Sequence, residues 1–245
     1  MEIISDYSSG SQELNEKILL LLLKTRSERT FRNLIQIFIE VFKQFAVIQT
    51  TLKKLDNKLT KSNLQETKNT ILKILENQNS KFEKLYRKVK GKIYKGIKIL
   101  TFSNSYTCLK LFEKIYSDDF EPKFYIPVSN PGGEGKILFE KIINLGAKAR
   151  LIPDKNLKQV ISKIDIVFVG ADKILPGLYF INKIGTKQLA QLAKDNSKQF
   201  YVVGLKEKII ECKDEVSESK VSLRNKDKRL FEKIQTSLVT EFFIA

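Results

Sequence analysis

Asp172 is the side chain best suited to acid–base chemistry in this sequence. It stands in "VGADKI", directly after the apolar run "DIVFV", which predicts a β-strand. Gly170 and Ala171 let a ligand approach the backbone, and ligands of parallel sheets bind where strands end. A carboxylate there can act as a general acid or base. An aspartate after a strand also commonly caps a turn, so the residue types leave both roles open.

A second polar group follows in "FINKIGTKQLAQLAK". Lys183, with Asn182 beside it, could pair with Asp172 or hold a phosphate, although a plain surface turn fits the same residues. Gly185 permits a tight entry into the next helix, and Thr186 is its predicted N-cap. The loop "TFSNSYT" is rich in hydroxyl groups. In this loop Ser105 is predicted to cap the following helix.

The segment "VSNPGGEGK" separates a predicted strand, "KFYIPV", from a predicted helix, "KILFEKIINLG". Glycine-rich loops at a helix N-terminus bind phosphate through backbone N–H groups. We therefore predict a ligand loop over Ser129–Gly135, at the carboxyl edge of the sheet and within reach of Asp172.

The composition excludes several kinds of chemistry. The chain has no histidine, so any proton transfer must use Asp, Glu, Cys, Lys or Tyr, and histidine-based triads and metal sites are excluded. The two cysteines, Cys108 and Cys212, form neither a disulfide framework nor a zinc cluster. We predict neither a metal nor a cofactor.

The longest apolar run, Ile18 to Leu23, is far shorter than the roughly 20 residues that span a bilayer. No secretory signal is visible, and we predict a soluble, cytoplasmic protein without a membrane partner. The formal net charge is +16. Lysines scattered among Glu, Asn and Ile favour a merely basic surface, so we expect nucleic acid to bind only weakly and electrostatically.

The two halves of the chain differ in their glycine and proline content. Neither residue occurs from Ser11 to Lys90, and apolar residues recur there at helical spacing. We predict a helical domain over 1–90 with three helices, the second beginning at Ser27 and the third at Ser62, both serines acting as N-caps. The second helix carries an apolar stripe that is expected to be core: Phe31, Leu34, Ile35, Phe38 and Phe42.

After Gly91 short β-rich runs alternate with helical ones, and several strands are apolar on both faces. We predict an α/β fold over 91–245, a Rossmann-like parallel sheet with helices on both faces. The candidate ligand loops are Ser103–Ser105, Ser129–Gly135 and Gly170–Asp172. The polar stretch Lys213–Arg229 is predicted to be a surface loop.

The stretch "VGADKI … NKIGTKQLAQLAKDNSKQFYVVG" resembles one family. That family comprises the alpha, beta and delta subunits of translation initiation factor 2B and the isomerases of methylthioribose 1-phosphate and ribose 1,5-bisphosphate. The resemblance covers about residues 93–205. "SDYSSGSQEL", with Ser9 and Gly10, resembles the family's Ser-Gly-rich entry segment, and "LVTEFFIA" resembles its closing segment.

The resemblance implies a homodimer formed mainly by the α/β half and a sugar- or nucleotide-phosphate pocket between the two halves. It implies a catalytic role for Asp172 and for the residue at position 103. Carried over to this chain, the implied ligand-binding residues are Ser9, Gly10, Ser129, Asn130, Gly132, Gly133, Asn182 and Lys183.

The sequence departs from the family pattern in the loop after the first strand and in the Gly-rich loop. Ser103 replaces the cysteine that serves as the acid partner of the aspartate, and a hydroxyl is a much weaker acid than a thiol. Where the family has Glu-Ser-Arg-Pro, this chain has Val128, Ser129, Asn130 and Pro131. The arginine that could form charge-assisted hydrogen bonds with an anion is therefore missing.

Three functions compete. The first is a non-catalytic relative of initiation factor 2B that assembles with itself or with translation-related proteins and binds a phosphorylated small molecule. The second is an aldose–ketose isomerase of a sugar 1-phosphate with Asp172 as base. The third is a basic module for RNA or ribosomes, using the helical half.

Overall fold

The computed structural model describes residues 3–5, 9–42, 45–209 and 230–245. The chain forms two compact units, Met1–Ser80 and Lys81–Ala245. The predicted boundary after residue 90 falls later than this division, which lies within a long helix. Cys212 and the predicted loop Lys213–Arg229 lie outside the described residues.

The first unit is helical, as predicted. Its helices are α1 (Ser11–Lys24), α2 (Glu28–Val41), α3 (Ala46–Lys61) and the first part of α4 (Leu64–Val89). The predicted extent of the second helix is wrong, because that segment forms two helices, α2 and α3. These pack against each other, which buries apolar residues of both in one core. No glycine or proline marks the break.

The stripe on α2 is core, as expected: Phe31, Ile35, Phe38 and Phe42 are buried, and Leu34 packs against them. The predicted cap at Ser27 is confirmed, since its side chain accepts a hydrogen bond from the Thr30 N–H. The cap predicted at Ser62 is wrong. Asn63 accepts the Glu66 N–H at 2.9 Å, while the Ser62 hydroxyl donates back to the Lys58 carbonyl.

The second unit contains a six-stranded parallel sheet in the order β3-β2-β1-β4-β7-β9. The strands are β1 (Lys98–Thr101), β2 (Lys123–Pro127), β3 (Lys148–Ile152), β4 (Ile166–Val169), β7 (Gln199–Gly204) and β9 (Glu241–Ile244). The helices between them are α5 (Tyr106–Ser117), α6 (Glu134–Asn144), the short α7 (Leu157–Val160) and α8 (Thr186–Asp195). The predicted α/β fold is therefore confirmed.

The sheet is covered on both faces, as its apolar strands predict. All four residues of β4 are buried. Successive residues of this strand belong to the hydrophobic cores on opposite faces of the sheet, Val167 to one core and Phe168 to the other. Because β2 and β3 lie on one side of β1 and β4 on the other, strand order reverses between β1 and β4. Ligands of such sheets bind at that reversal. None of the described helices is long and apolar enough to cross a membrane.

A second, antiparallel sheet was not predicted. It has the order β5-β6-β8, with β5 (Lys173–Leu175), β6 (Tyr179–Lys183) and β8 (Phe231–Gln235). The hairpin β5–β6 follows β4 directly, so Asp172 lies at its beginning and Lys183 at its end. This small sheet therefore positions two of the predicted site residues.

Candidate functional site

The loop after β1 contacts two of the other loops directly. Ser105 caps α5 by accepting the Cys108 N–H, as predicted. A Cβ added to Gly170 would lie 2.2 Å from the Ser105 hydroxyl oxygen, and one added to Gly185 would lie 2.8 Å from the Phe102 ring. Only glycine allows these approaches. The ends of β1 and β4 and the entry to α8 therefore meet at one place.

The Gly-rich loop is joined to the same place through Ser129. The Ser129 hydroxyl is fully buried, accepts the Ser103 N–H at 2.9 Å and donates to the Pro127 carbonyl at 3.0 Å. The carboxylate of Asp154, just after β3, accepts the N–H groups of Ser129 and Asn130, each at 2.8 Å. Two N–H groups of the predicted ligand loop are thus bound to a carboxylate of the chain itself.

Lys183 pairs with the Gly-rich loop rather than with Asp172. Its side chain is 4% exposed, and its ammonium donates to the Pro131 carbonyl and to the Glu134 carboxylate, both at 2.5 Å. Gly132 and Gly133 have positive φ angles, 106° and 70°, and Gly133 is the N-cap of α6. The loop therefore turns Glu134, the first residue of α6, toward Lys183.

A third carboxylate occupies the N-terminus of α8. The Glu232 carboxylate accepts the N–H groups of Gly185 and Lys187, each at 2.8 Å. Asn182 is buried and donates to the Thr186 hydroxyl at 3.2 Å. The cap predicted at Thr186 is wrong, because Gly185 is the N-cap and the Thr186 hydroxyl donates back to the Lys183 carbonyl.

Asp172 lies at the beginning of the β5–β6 hairpin, where its N–H donates to the Ile181 carbonyl at 2.9 Å. Solvent reaches its side chain, yet surrounding protein raises the pKa of the carboxyl above its ordinary value by desolvation. The positive charges of Lys208 and Lys173 act in the opposite direction and lower the pKa of Asp172. A carboxyl with a raised pKa at a strand end is suited to proton transfer, although structural groups can show the same shift.

The raised pKa predicts that Asp172→Asn stabilises the protein at neutral pH. A carboxyl that binds its proton more tightly when folded contributes stability below its unfolded pKa of about 3.9, and loses it as pH rises through the folded pKa. At pH 7 the ionised Asp172 is therefore unfavourable, and the neutral amide removes that cost. Melting temperatures from pH 3 to 8 should show a gain at pH 7 that vanishes in acid. Glu140→Gln, at an exposed position in the middle of α6, is the control and should show no such gain.

Within the α/β unit the structure brings the predicted site residues together. Those of the α/β unit, Ser103, Ser129, Asn130, Gly132, Gly133, Asp172, Asn182 and Lys183, lie on loops and strand ends at the carboxyl edge of the parallel sheet and on the adjoining hairpin. Ser9 and Gly10 belong to the helical unit. There Gly10 precedes α1 and Ser9 accepts a hydrogen bond from the Lys17 ammonium at 2.8 Å.

Sequence reasoning missed three carboxylates at this edge. Asp154 follows β3, so the rule that parallel strands end at one edge could have found it. Glu134 stands within the glycine-rich segment, where only the glycines drew attention. Glu232 comes from β8, and no signal in the sequence places it at α8. Together they neutralise or occupy donors that would otherwise attract an anion.

The family model of the initiation factor 2 subunit family matches residues 1–238. Among curated relatives, the ribose 1,5-bisphosphate isomerase of Methanocaldococcus jannaschii is 31% identical over 110 residues, which are 45% of this chain and 36% of that protein. The eIF2B subunit alpha of Caenorhabditis elegans is 27% identical over 146 residues, 56% of this chain and 48% of that protein. The matches thus span only a third to a half of these relatives' length.

Among solved structures, the tetrameric eIF2B-beta2-delta2 complex from C. thermophilum contains a chain with the same fold. The TM-score is 0.59 at 16% identity, with 98% of this chain and 86% of that chain covered. Because the family model extends over nearly the whole sequence, the chain belongs to the initiation factor 2 subunit family.

Proposed function

We propose that this chain is a non-catalytic relative of initiation factor 2B that assembles as an oligomer and binds a sugar or nucleotide phosphate at the edge described above. The observation that carries the proposal is the side chain after β1. Ser103 stands where the isomerases resembled by this sequence have a cysteine, and its hydroxyl has no proton to give near neutral pH. With no histidine in the chain, no imidazole can take over.

The position of the Gly-rich loop supports the binding of a phosphorylated ligand. The loop lies next to the point where strand order reverses and leads into the N-terminus of α6, a place that favours anions. Lys183 is a buried cation at the same place. The loop has no arginine, so we expect the grip on phosphate to be weak.

The oligomer in this proposal is a homodimer formed mainly by the α/β unit, with translation-related proteins as further partners in the cytoplasm. The related beta2-delta2 complex is tetrameric, and two-fold pairing is the commonest symmetry of soluble oligomers.

We expect purified protein to have at least twice the 28.3 kDa mass of one chain. Light scattering after size exclusion, at micromolar concentration and at two salt concentrations, measures this mass directly. A species of 28.3 kDa alone would contradict the homodimer. A mass that is independent of salt would indicate that apolar contacts, rather than the basic surface, hold the copies together.

The second candidate is isomerisation of a sugar 1-phosphate with Asp172 as base. It is favoured by the raised pKa of Asp172 and by the relative that is named a ribose 1,5-bisphosphate isomerase. Incubating the protein with ribose 1,5-bisphosphate or methylthioribose 1-phosphate separates the two candidates. Conversion at an ordinary enzymatic rate would establish the isomerase, and its absence is the result that the non-catalytic function requires.

A further inference from the structure

The pair formed by Lys183 and Glu134 is the least exposed ion pair described in the α/β unit. The Lys183 side chain is 4% exposed and that of Glu134 is 27% exposed. The carboxylate oxygen Oε1 accepts a hydrogen bond from the Lys183 ammonium at 2.5 Å. The second oxygen, Oε2, is buried and has no hydrogen-bond partner among the described groups.

The backbone around this pair is adapted to the carboxylate. A Cβ on Gly132 would lie 2.7 Å from Glu134 Oε1, so glycine leaves the space that the carboxylate fills. Glu134 is also the first residue of α6, where the helix dipole favours negative charge. The carboxylate therefore receives both attractions that this place offers to an anion, from the buried lysine and from the helix.

A bound phosphate would need the same two attractions. A phosphate cannot share Lys183 with the Glu134 carboxylate, because two negative charges at such short range repel each other strongly. Removing Glu134 alone would leave the buried ammonium without its partner, and an unpaired buried charge is costly. Lys183 is therefore satisfied in the absence of ligand, and becomes a ligand group only when an anion replaces Glu134.

We infer that Glu134 is a specificity-determining residue that competes with the ligand's phosphate for Lys183. With Glu134 in place, the site disfavours a phosphate monoester. With Glu134 displaced, the same site takes the phosphate. This inference rests on the proposed binding of a sugar or nucleotide phosphate and assigns the residue that limits it.

Glu134→Gln tests the inference, because the amide keeps the shape and loses the charge. Isothermal titration should compare ribose 5-phosphate and AMP with their uncharged counterparts, ribose and adenosine. We expect the variant to bind the phosphorylated ligands at least about tenfold more tightly than the wild type, a difference of about 1.4 kcal/mol. Affinity for the uncharged ligands should not rise. Glu140→Gln removes the same charge from an exposed position on the same helix and should behave as the wild type.

Two further variants keep the test decisive. Glu134→Asp retains the charge and the favourable helix position but shortens the reach to Lys183, so it should gain affinity even if Glu134→Gln folds poorly. Adding Lys183→Met to either variant should abolish the gain. Equal phosphate affinity in the wild type and both Glu134 variants would overturn the inference and leave the binding function standing. Failure of all of them to bind any phosphorylated ligand would overturn both.

Discussion

Ser103→Cys is expected to raise the isomerisation of methylthioribose 1-phosphate or ribose 1,5-bisphosphate more than any other single change. The wild type should be inactive, or slower than an ordinary isomerase by at least the factor of about 10²–10⁴ that general acid assistance supplies. Restoring a thiol is expected to recover only part of that factor, because Asn130 cannot replace the arginine that would bind the phosphate, and substrate binding therefore stays weak.

The reason lies in the chemistry of a sugar 1-phosphate. Its anomeric oxygen is esterified, so the ring does not open freely. An isomerase must protonate the ring oxygen and move hydrogen from C2 to C1, which requires an acid and a base whose pKa values are separated. Asp172 has the raised pKa suited to one of these roles. Ser103 cannot fill the other near neutral pH.

The structure also excludes the neighbouring cysteine as a substitute. Cys108 is completely buried in α5, and this burial raises the pKa of its thiol to about 12. It is therefore a core residue and cannot supply the acid. Ser103 has a φ of 64° there, and its N–H is fixed by the Ser129 hydroxyl. Cysteine differs from serine by one atom, so it should fit this backbone with little change.

The assay should compare the wild type with Ser103→Cys, Ser103→Ala and Asp172→Asn under the same conditions. Ser103→Ala is the matched control, since it changes the same side chain without adding a thiol, and its rate should equal that of the wild type. Combining Ser103→Cys with Asp172→Asn should remove the gain. A wild type that turns over at a normal enzymatic rate and is silenced by Asp172→Asn would contradict the non-catalytic function.

The parallel sheet could be predicted because its signals are local. Runs such as "DIVFV" are apolar on both faces, and a strand buried on both sides needs helices above and below. The meeting of the loops at one edge then follows from topology alone. The break between α2 and α3 could not be predicted, because nothing in the local sequence interrupts the helical pattern. The two helices pack against each other, and that contact joins residues distant in the sequence.

The partners within the candidate site were beyond sequence reasoning for a related reason. Lys183 and Glu134 are 49 positions apart, and which carboxylate reaches the lysine depends on the unpredicted β5–β6 hairpin. Glu232 reaches the N-terminus of α8 only because β8 pairs with β6. The residue types in the sequence indicate where an anion could bind. Long-range strand pairing, however, decides which carboxylates of the chain itself lie at that place. The ligand-binding roles of these residues stay predictions.

Gly135→Ala should destabilise the α/β unit more than any other glycine-to-alanine change in the Gly-rich loop. Gly135 is the second residue of α6, and a Cβ there would lie 1.8 Å from the Pro127 carbonyl oxygen and 3.0 Å from that of Val128. Both are backbone atoms at the end of β2, so no side chain can move aside. The Gly135 N–H also donates to the Val128 carbonyl at 3.1 Å, and this hydrogen bond holds the helix against the strand.

The added methyl group must therefore push α6 away from β2 and move the loop that carries Glu134. Overpacking of this kind costs about 1–3 kcal/mol and occasionally more, which is a melting temperature lower by roughly 2–4 °C for each kcal/mol. Gly91→Ala is the control, because a Cβ there meets no atom within 4 Å. It should change stability by less than about 0.5 kcal/mol. Urea unfolding followed by circular dichroism measures both variants. If Gly135→Ala proves as stable as Gly91→Ala, α6 does not begin against the end of β2, and the placement of Glu134 beside Lys183 fails with it.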